Sequence, residues 1–451
     1  MGNIKNKIRL SPSIQICLGF ITVILIGAFL LCLPVSNVDG NWLGFLPSLF
    51  TSTSAVCVTG LTVVEPAVQF TLFGQIILLL LIQIGGLGII AVTSLILLVL
   101  RKKISFSNRL TIQESLNKEN VQGVVKYIKK ILIVTFSIEL IGMLLILYST
   151  VTYTGNFWTG LFVALFLAIS SFCNAGFDIL GTQTSNMSSL GNFSANVLML
   201  LPIMFLIVLG GIGFIVILDG FRIKKGKQHN KVVIFITTVL ILIPSLLFML
   251  LEWNNPETLG NMSVGEKILN SFFQSITTRT AGFATINQGA LSQGSQVISM
   301  ILMLIGGSPN STAGGIKTTT LFLLILFVFR KTNERGDITF KNKKISNKIV
   351  LKMLKIVVYV LCTIVFSVLL ISIIEPQTIG INTILFECVS AISTTGLSMG
   401  VTTSLSAFSQ LILIALMYVG RVGLTTVVLA ISAKSEVINE IEYTNTDIII
   451  G

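Results

Sequence analysis

The stretch TSTSAVCVTGL, residues 51–61, is rich in serine and threonine and ends in a glycine followed by a large apolar residue. Three later stretches have the same form: SSFCNAGF at 170–177, SITTRTAGF at 275–283 and SAISTTGL at 390–397. Each of the four lies between two long apolar runs. A single stretch of this kind means little, but four in the same place indicate one unit that is repeated four times.

The composition excludes a soluble globular protein. Of the 451 residues, 53% are hydrophobic and 11% are charged, whereas soluble domains carry about 25% charged residues. Such a chain needs an apolar solvent, so it is predicted to cross a membrane several times. Residues 1–13 are polar and basic, and the apolar run 14–33 is longer than the core of a typical signal peptide. We therefore expect this run to remain in the protein as its first span.

Basic residues are concentrated between the apolar runs, in the blocks 1–13, 101–130, 222–231 and 330–355. The positive-inside rule makes these blocks cytoplasmic, which argues against nucleic acid as the reason for the net charge of +12. Each pair of blocks must enclose an even number of spans, so eight spans with both termini inside are predicted. The first spans of the four units are placed near 14–33, 131–150, 232–251 and 351–374, and the second spans near 71–100, 196–221, 296–329 and 408–431.

The predicted outer loops carry mostly carboxylates. These are Asp39, Glu65, Asp178, Glu252, Glu257, Glu266, Glu375 and Glu387, against the single cation Lys267. An acidic outer face raises the local concentration of cations. The same distribution also follows from membrane topology alone, and the sequence leaves both interpretations open.

The predicted fold is an all-α polytopic membrane protein with four repeats around a pseudo-fourfold pore. Each repeat has two spans, M1 and M2, which enclose a re-entrant half-helix P, giving eight full spans and four half-helices. The repeats are assigned to residues 1–100, 101–225, 226–335 and 336–435, with a C-terminal tail at 436–451. Each half-helix is expected to have about ten helix-compatible residues, within stretches such as 43–57 and 161–172. It is then about 15 Å long, which is half the thickness of the hydrocarbon core.

The end of such a half-helix favours a cation, because its C-terminal carbonyls carry about half a negative charge. Glycine then lets the backbone return outward as an extended strand that approaches an ion closely. Rings of carbonyls without carboxylates suit a monovalent ion such as K⁺ better than a divalent one. The predicted K⁺-binding positions are Val58, Thr59, Gly60, Asn174, Ala175, Gly176, Thr280, Ala281, Gly282, Thr394, Thr395 and Gly396.

These motifs resemble the Trk/Ktr/HKT superfamily of potassium transporters, and most closely the KtrB-type membrane subunit of bacterial Ktr systems. The resemblance covers nearly the whole chain and rests on the four glycine-ending segments, GGSPNSTAGG at 306–315, Arg421 and the terminal Ile450-Gly451. It implies that one glycine per segment binds potassium, in a multi-pass protein of a bacterial cytoplasmic membrane. The short amino terminus favours Ktr over Trk.

The resemblance also implies partners. It predicts a homodimer on a cytosolic ring of nucleotide-binding, KtrA-like regulatory subunits, and potassium uptake that depends on sodium as a coupling or activating ion. We expect the basic blocks 101–130, 222–231 and 330–355 to dock this ring, although contact with anionic lipid headgroups alone is the alternative. The three isoleucines 448–450 are costly in water, so the tail is predicted to dock at the dimer interface rather than fray.

A gate is predicted in the third repeat, where glycines and Pro309 make an unbroken helix improbable. Arg421 stands in the second span of the fourth repeat, where its siblings have Gly86 and Gly211, and a cation at that depth needs a partner. The predicted gate consists of Gly306, Gly307, Ser308, Pro309, Asn310, Ser311, Thr312, Ala313, Gly314 and Gly315, with Lys317 and Arg421. Two alternatives stay open: Arg421 only anchors helices, and Lys317 extends toward the cytoplasm.

The remaining sequence motifs do not support another function. Ile316 separates Gly315 from Lys317, so residues 307–318 do not form a phosphate-binding loop, and one histidine, His229, supports neither a zinc nor a serine protease. Glu139 is expected to have a structural partner, and Asp219 to pair near the membrane edge with Arg222. No enzyme activity and no covalently bound cofactor are expected. A sodium-selective or poorly selective cation pathway, or a membrane scaffold that does not transport, remains the alternative.

Overall fold

The computed structural model describes residues 11–88, 124–180, 189–220, 228–329, 339–340, 343–423 and 426–427. These residues form fifteen α-helices. They are α1 Pro12–Cys32, α2 Phe45–Val56, α3 Pro66–Gln69, α4 Leu72–Leu87, α5 Val124–Thr154, α6 Phe157–Cys173, α7 Val197–Ile212, α8 Phe214–Leu218, α9 Gln228–Glu252, α10 Val264–Thr277, α11 Gln293–Leu304, α12 Thr318–Phe329, α13 Asn347–Ile374, α14 Ile381–Ser393 and α15 Ala407–Val422. Two strands of two residues, Thr339–Phe340 and Lys343–Lys344, pair antiparallel.

Four long helices, α1, α5, α9 and α13, are long and apolar enough to cross a membrane, counted over the described residues. They cover the four predicted first spans. The largest difference is at α5, which begins at Val124 and is longer than the predicted span 131–150. Their exposed surface is apolar, as in the side chains of Phe29, Leu144 and Phe366, so a lipid environment suits them.

A short helix follows each long one: α2, α6, α10 and α14 have 12, 17, 14 and 13 residues. The last turns of these helices are buried, and each stops shortly before the glycine of its serine- and threonine-rich stretch. Where the sequence supplies a cap it is used: Asn156 Oδ1 accepts a hydrogen bond from the Trp158 N–H (2.9 Å), and Ser263 and Glu266 form a capping box. The predicted bounds 43–57 and 161–172 differ from α2 and α6 by a few residues.

The predicted second spans differ more. The helices α4, α7 and α15 all end at a glycine with positive φ: Gly88 (84°), Gly213 (95°) and Gly423 (92°). The sequence did not predict these ends, and the predicted spans 71–100 and 408–431 extend beyond them into residues that the structure describes only at 426–427. In the second repeat α8 starts directly after the bend. A glycine adopts this left-handed backbone without strain, so one residue suffices to turn the chain.

The four units close into a ring. Each short helix packs against the long helix before it, and in the first, second and fourth units also against the apolar helix after it. In addition α4 packs on α6, α7 on α10, α11 on α14, and α15 returns to α2. The second helix of every unit therefore contacts the short helix of the next unit, and the last unit contacts the first. This cyclic order brings the four glycine-ending stretches around one axis.

Some predictions fall outside the described residues. These are the C-terminal tail 436–451, most of the basic blocks 101–130 and 222–231, and residues 330–338 and 341–342 of the block 330–355.

Candidate ion pathway

Four glycines lie next to one another around one axis and are called the glycine ring below: Gly60, Gly176, Gly282 and Gly396. A Cβ atom placed on Gly60 would lie 2.5 Å from the Ala175 carbonyl oxygen of the next unit. The same construction puts Gly176 2.7 Å from Ala281 O, Gly282 2.5 Å from Thr395 O, and Gly396 against Thr59 O. Each glycine thus faces the carbonyl of the residue that precedes the next glycine. No side chain fits at any of the four positions.

The backbone before each glycine is strained in the same way in all units. The residue two positions before the glycine has a left-handed φ: Val58 (58°), Asn174 (60°), Thr280 (63°) and Thr394 (51°). Such a conformation costs a non-glycine residue about 1–3 kcal/mol and persists only where surrounding contacts impose it. The repetition of one strained residue shows that the four stretches share a backbone conformation as well as a composition.

Serine and threonine hydroxyls from the short helices hold these strands. Ser54 Oγ and Ser390 Oγ each accept a hydrogen bond from the N–H of their glycine, Gly60 and Gly396, at 3.0 Å. In the other two units the hydroxyl donates to the carbonyl after the glycine: Ser170 to Phe177 O (2.7 Å) and Thr277 to Phe283 O (2.5 Å). The hydroxyls that identified the repeat in the sequence therefore fix its backbone.

Several polar atoms at the ring are buried and have no hydrogen-bond partner among the described residues. They are Thr59 Oγ1, Asn174 Nδ2, Thr280 Oγ1, Thr394 Oγ1 and Thr395 Oγ1. Buried polar groups normally find a partner, and each exception calls for an explanation. A polar ligand or water on the axis would supply one.

A cavity of about 350 Å³ opens on one side of the ring, and all four ring glycines line it. Glu65 and Asp178, both predicted as outer carboxylates, also line it. Burial in the cavity wall, reinforced by the nearby Glu65 carboxylate, raises the pKa of Asp178 to about 7 against the hydrogen bonds that the Leu180 N–H and Ser189 donate to it. Burial also raises the pKa of Glu65. The cavity is therefore lined by carboxylates, and the charge of Asp178 changes near neutral pH.

On the other side of the ring, residues 306–315 form a loop without helix, which turns at 309–310 and which we call the crossing loop. Thr312 Oγ1 donates to Phe172 O (3.1 Å), and Gly314 lies against the Ser393 carbonyl and the Thr394 hydroxyl. The loop thus touches the ends of α6 and α14, immediately before the glycine ring. The structure places all ten predicted loop residues in this one segment between α11 and α12.

Backbone hydrogen bonds also join the crossing loop to the bend of the second unit. The Ser308 N–H donates to Gly211 O (2.9 Å), the Thr312 N–H to Gly210 O (3.2 Å), and the Phe214 N–H to Asn310 O (2.8 Å). The bend at Gly213 and the loop are therefore one hydrogen-bonded assembly.

Arg421 links this assembly to the first unit. Its guanidinium donates to Thr312 O in the crossing loop and to the carbonyls of Gly85 and Gly86 at the end of α4. Lys317 Nζ donates to Ala313 O (2.7 Å), so its side chain turns to the loop and does not extend away from it. Both predicted cations thus lie with the loop, which brings together every described residue of the predicted gate.

Three glycines of the second helices pack against the short helices. Cβ atoms on Gly85, Gly210 and Gly420 would clash with the carbonyl oxygens of Val56, Phe172 and Ile392. These carbonyls occupy equivalent positions in their units. Small residues here let the two helices approach closely.

Two intramembrane carboxylates have partners that the sequence did not predict. Gln83 Nε2 donates to both carboxylate oxygens of the buried Glu139 (3.1 and 3.2 Å). Asp219 accepts from Asn230 Nδ2 (3.0 Å), whereas its expected partner Arg222 lies outside the described residues. Both pairs join different units or helices far apart in the chain, so no local pattern announces them.

The chain is similar to known transport proteins in sequence and in fold. The family model of cation transport proteins called TrkH matches residues 11–441. The chain belongs to this family of cation transport proteins.

Two relatives are similar over nearly their full length. The potassium/sodium uptake protein NtpJ of Enterococcus hirae is 39% identical, with 95% of this chain and 94% of the relative covered. The Ktr system potassium uptake protein B of Bacillus subtilis is 37% identical, with 98% of each covered. Among solved structures, the potassium transporter TrkH of Vibrio parahaemolyticus has the same fold, with a TM-score of 0.72 at 17% identity over 94% of this chain and 86% of that one.

Proposed function

We propose that this protein takes up potassium across a cytoplasmic membrane, as the ion-translocating subunit of a Ktr-type system. One observation carries the proposal: each glycine of the ring faces the carbonyl that precedes the next glycine, so four strands surround one axis. Around that axis lie carbonyls, buried hydroxyls and no carboxylate from residues 58–60, 174–176, 280–282 and 394–396. Such a ring replaces the hydration shell of a large monovalent cation.

These twelve residues are the proposed selectivity filter. The ends of the four short helices point their carbonyls toward it and stabilise a cation there. The carboxylates of the cavity, Glu65 and Asp178, concentrate cations on the side from which the ion enters. The names of the relatives NtpJ and Ktr system protein B support potassium as the transported ion, and the name of NtpJ supports sodium as a second one, coupled or activating.

The proposed membrane arrangement has eight crossings, four re-entrant helices and both termini in the cytoplasm. The four long apolar helices and the cyclic packing of the remaining helices support it. The proposed host membrane is a bacterial cytoplasmic membrane, since the relatives cited are bacterial uptake proteins.

The crossing loop and Arg421 form the proposed gate. The loop lies across the axis next to the ring, and a fixed positive charge beside it repels potassium. Arg421 joins the loop to the first unit, while the bend at Gly213 joins it to the second. Opening then means releasing these hydrogen bonds, in response to a cytosolic signal. The alternative role of Arg421, anchoring helices, is compatible with the same contacts. Only a measurement of ion flux distinguishes this role from gating.

A homodimer on a cytosolic, nucleotide-binding, KtrA-like ring is the proposed assembly. The Ktr relatives are named as parts of a system, which supports further subunits. Purification from the native host tests this, because contact with anionic lipid alone leaves no soluble subunit bound.

Potassium-limited growth of a bacterial host that lacks its own uptake systems tests the function. The parent chain, and a variant without residues 311–313 to exclude a closed gate, should restore growth and potassium uptake. Gly396→Arg, whose side chain fills the ring, is the matched control and should restore neither. Failure of both the parent and the loop variant to take up potassium, with the proteins present in the membrane, contradicts the proposal and favours a scaffold.

A further inference from the structure

We propose that Glu387 is a positioning residue for ion selection, because its buried carboxylate fixes the strand that leaves the fourth ring glycine. The inference rests on the proposed potassium pathway and deepens it. No part of the filter motif contains Glu387, which lies in the middle of α14, on the helix that leads to Gly396.

The carboxylate is 1% exposed and accepts three hydrogen bonds from one short segment. The Ser398 hydroxyl donates at 2.6 Å, the Met399 N–H at 3.0 Å and the Thr402 hydroxyl at 2.8 Å. All three donors are neutral, so the negative charge is not cancelled by a cation among them. Hydrogen bonds to an ionised acceptor are about twice as strong as neutral ones, which makes this a firm attachment.

The attached segment forms part of the cavity wall. Ser398, Gly400 and Thr402 line the cavity next to Gly396. Ser398 also accepts from the Gly400 N–H (2.9 Å) and lies 3.0 Å from the Thr402 hydroxyl. The carboxylate thus stands behind the wall and holds the groups in front of it, directly after the ring carbonyls.

A carboxylate suits this place better than an amide. Both of its oxygens only accept hydrogen bonds, which matches two hydroxyl donors and one N–H. In the third unit, neutral side chains join the short helix to the segment after the ring glycine: Gln274 of α10 and Gln288 exchange reciprocal hydrogen bonds of 2.7 and 3.0 Å. The fourth side of the pathway therefore carries a buried carboxyl group where the third side carries a pair of neutral amides.

Two consequences follow for the ion. Selection against the smaller Na⁺ requires the carbonyls to keep their spacing, and an unattached strand after Gly396 lets them move inward. When this carboxyl group is ionised, its charge also stabilises a cation at the ring, since low-dielectric surroundings screen it weakly. Loss of the carboxylate affects both spacing and field, whereas Glu387→Gln keeps the shape and removes the charge.

The test is the ratio of potassium to sodium flux, measured with the purified full-length chain in liposomes. Glu387→Ala should lower this ratio about tenfold, the size expected from losing charge-assisted hydrogen bonds, and Glu387→Gln should lower it by a smaller factor. The matched control is Glu375→Gln. Glu375 also accepts from a backbone N–H and a hydroxyl, both of Ser406 (2.9 and 2.7 Å), but at the end of α13 and away from the cavity.

A double variant, Ser398→Ala with Thr402→Val, removes two donors and leaves the helix intact. It should lower the ratio as Glu387→Ala does, and it decides the matter if Glu387→Ala does not fold. Glu375→Gln should keep the parent ratio. A parent-like ratio in the double variant overturns the role of Glu387 while the potassium pathway stands. A parent chain that itself shows no preference for potassium refutes the proposed function instead.

Discussion

The left-handed residues and the ring glycines bear directly on ion choice at the scale of single residues. Every ring glycine faces a carbonyl of its neighbour at a distance that excludes a Cβ atom. A serine at Gly60 must push the strand of the second unit aside and adds a hydroxyl to the ring. The four glycines share one backbone conformation, but the side chains that hold their strands differ. Substitutions at the four positions therefore need not have equal effects.

Gly60→Ser and Gly282→Ser should each lower the ratio of potassium to sodium flux about tenfold, because a displaced ring no longer fits the larger ion. The measurement is uptake of the two ions at equal concentrations. Gly40→Ser is the control, since Gly40 also has positive φ but has no neighbour within 4 Å of its Cβ position. Unchanged ratios in both ring variants would remove the ring from ion selection.

We predict that the KM for potassium depends on external pH through the carboxyl group of Asp178. With a pKa of about 7, the carboxyl is mostly protonated at pH 6 and mostly charged at pH 8. Its charge attracts cations into the cavity, so the KM for potassium should fall about twofold to threefold as the pH rises over this range. Asp178→Asn should keep the high KM throughout. A parent KM that does not change with pH contradicts this.

The glycine ring could be predicted from the sequence because a fourfold repetition shows it without any contact information. The pairs Gln83–Glu139 and Glu387–Thr402 could not, since they depend on how distant elements meet. The left-handed φ of Val58 and Thr394 was equally hidden: these side chains disfavour that conformation, and only the surrounding fold imposes it.

At the scale of elements, the crossing loop depends on the bend in the second unit. Three backbone hydrogen bonds tie residues 308–312 to the region of Gly210–Phe214, and Arg421 ties the loop to the end of α4. Movement of the loop therefore requires changes in two neighbouring units. Glycine and proline composition predicted the break in the third repeat. The bends at Gly88, Gly213 and Gly423 were missed, because a single glycine inside an apolar run is compatible with a helix.

Arg421→Ala should increase potassium flux without any regulatory partner at least about fivefold, a bias of about 1 kcal/mol in the equilibrium of the gate. Shortening the loop between Asn310 and Gly314 should do the same, and both variants should retain selectivity. Arg421→Lys should be intermediate, because one ammonium cannot bridge the loop and α4 as a planar guanidinium does. If both variants insert normally and conduct no faster than the parent, the loop is not the gate.

At the scale of the whole molecule, the cyclic packing explains why four imperfect units form one pathway. The second helix of each unit covers the short helix of the next, and α15 closes the ring on α2. No single unit buries its short helix alone. The order of the four glycine-ending stretches around the axis follows their order in the chain.

The tail predicts the oligomeric state. Residues 448–451 lie outside the described part of the chain, and three isoleucines there favour burial by about 1.5–3 kcal/mol each. Deletion of 448–451 should weaken the proposed dimer in mild detergent, as measured by mass. Deletion of the polar residues 444–447 is the control and should leave the dimer intact. An unchanged dimer mass without the isoleucines would leave the tail no role in assembly.

Ion flux in liposomes under defined potassium and sodium gradients tests directly whether the glycine ring selects potassium. It requires only the purified chain, and the variant shortened between Asn310 and Gly314 ensures an open path. Both proteins should conduct potassium in clear preference to sodium, with the faster flux in the shortened variant. Equal fluxes of the two ions, or a preference for sodium, would contradict the assignment of the glycine ring as a potassium filter.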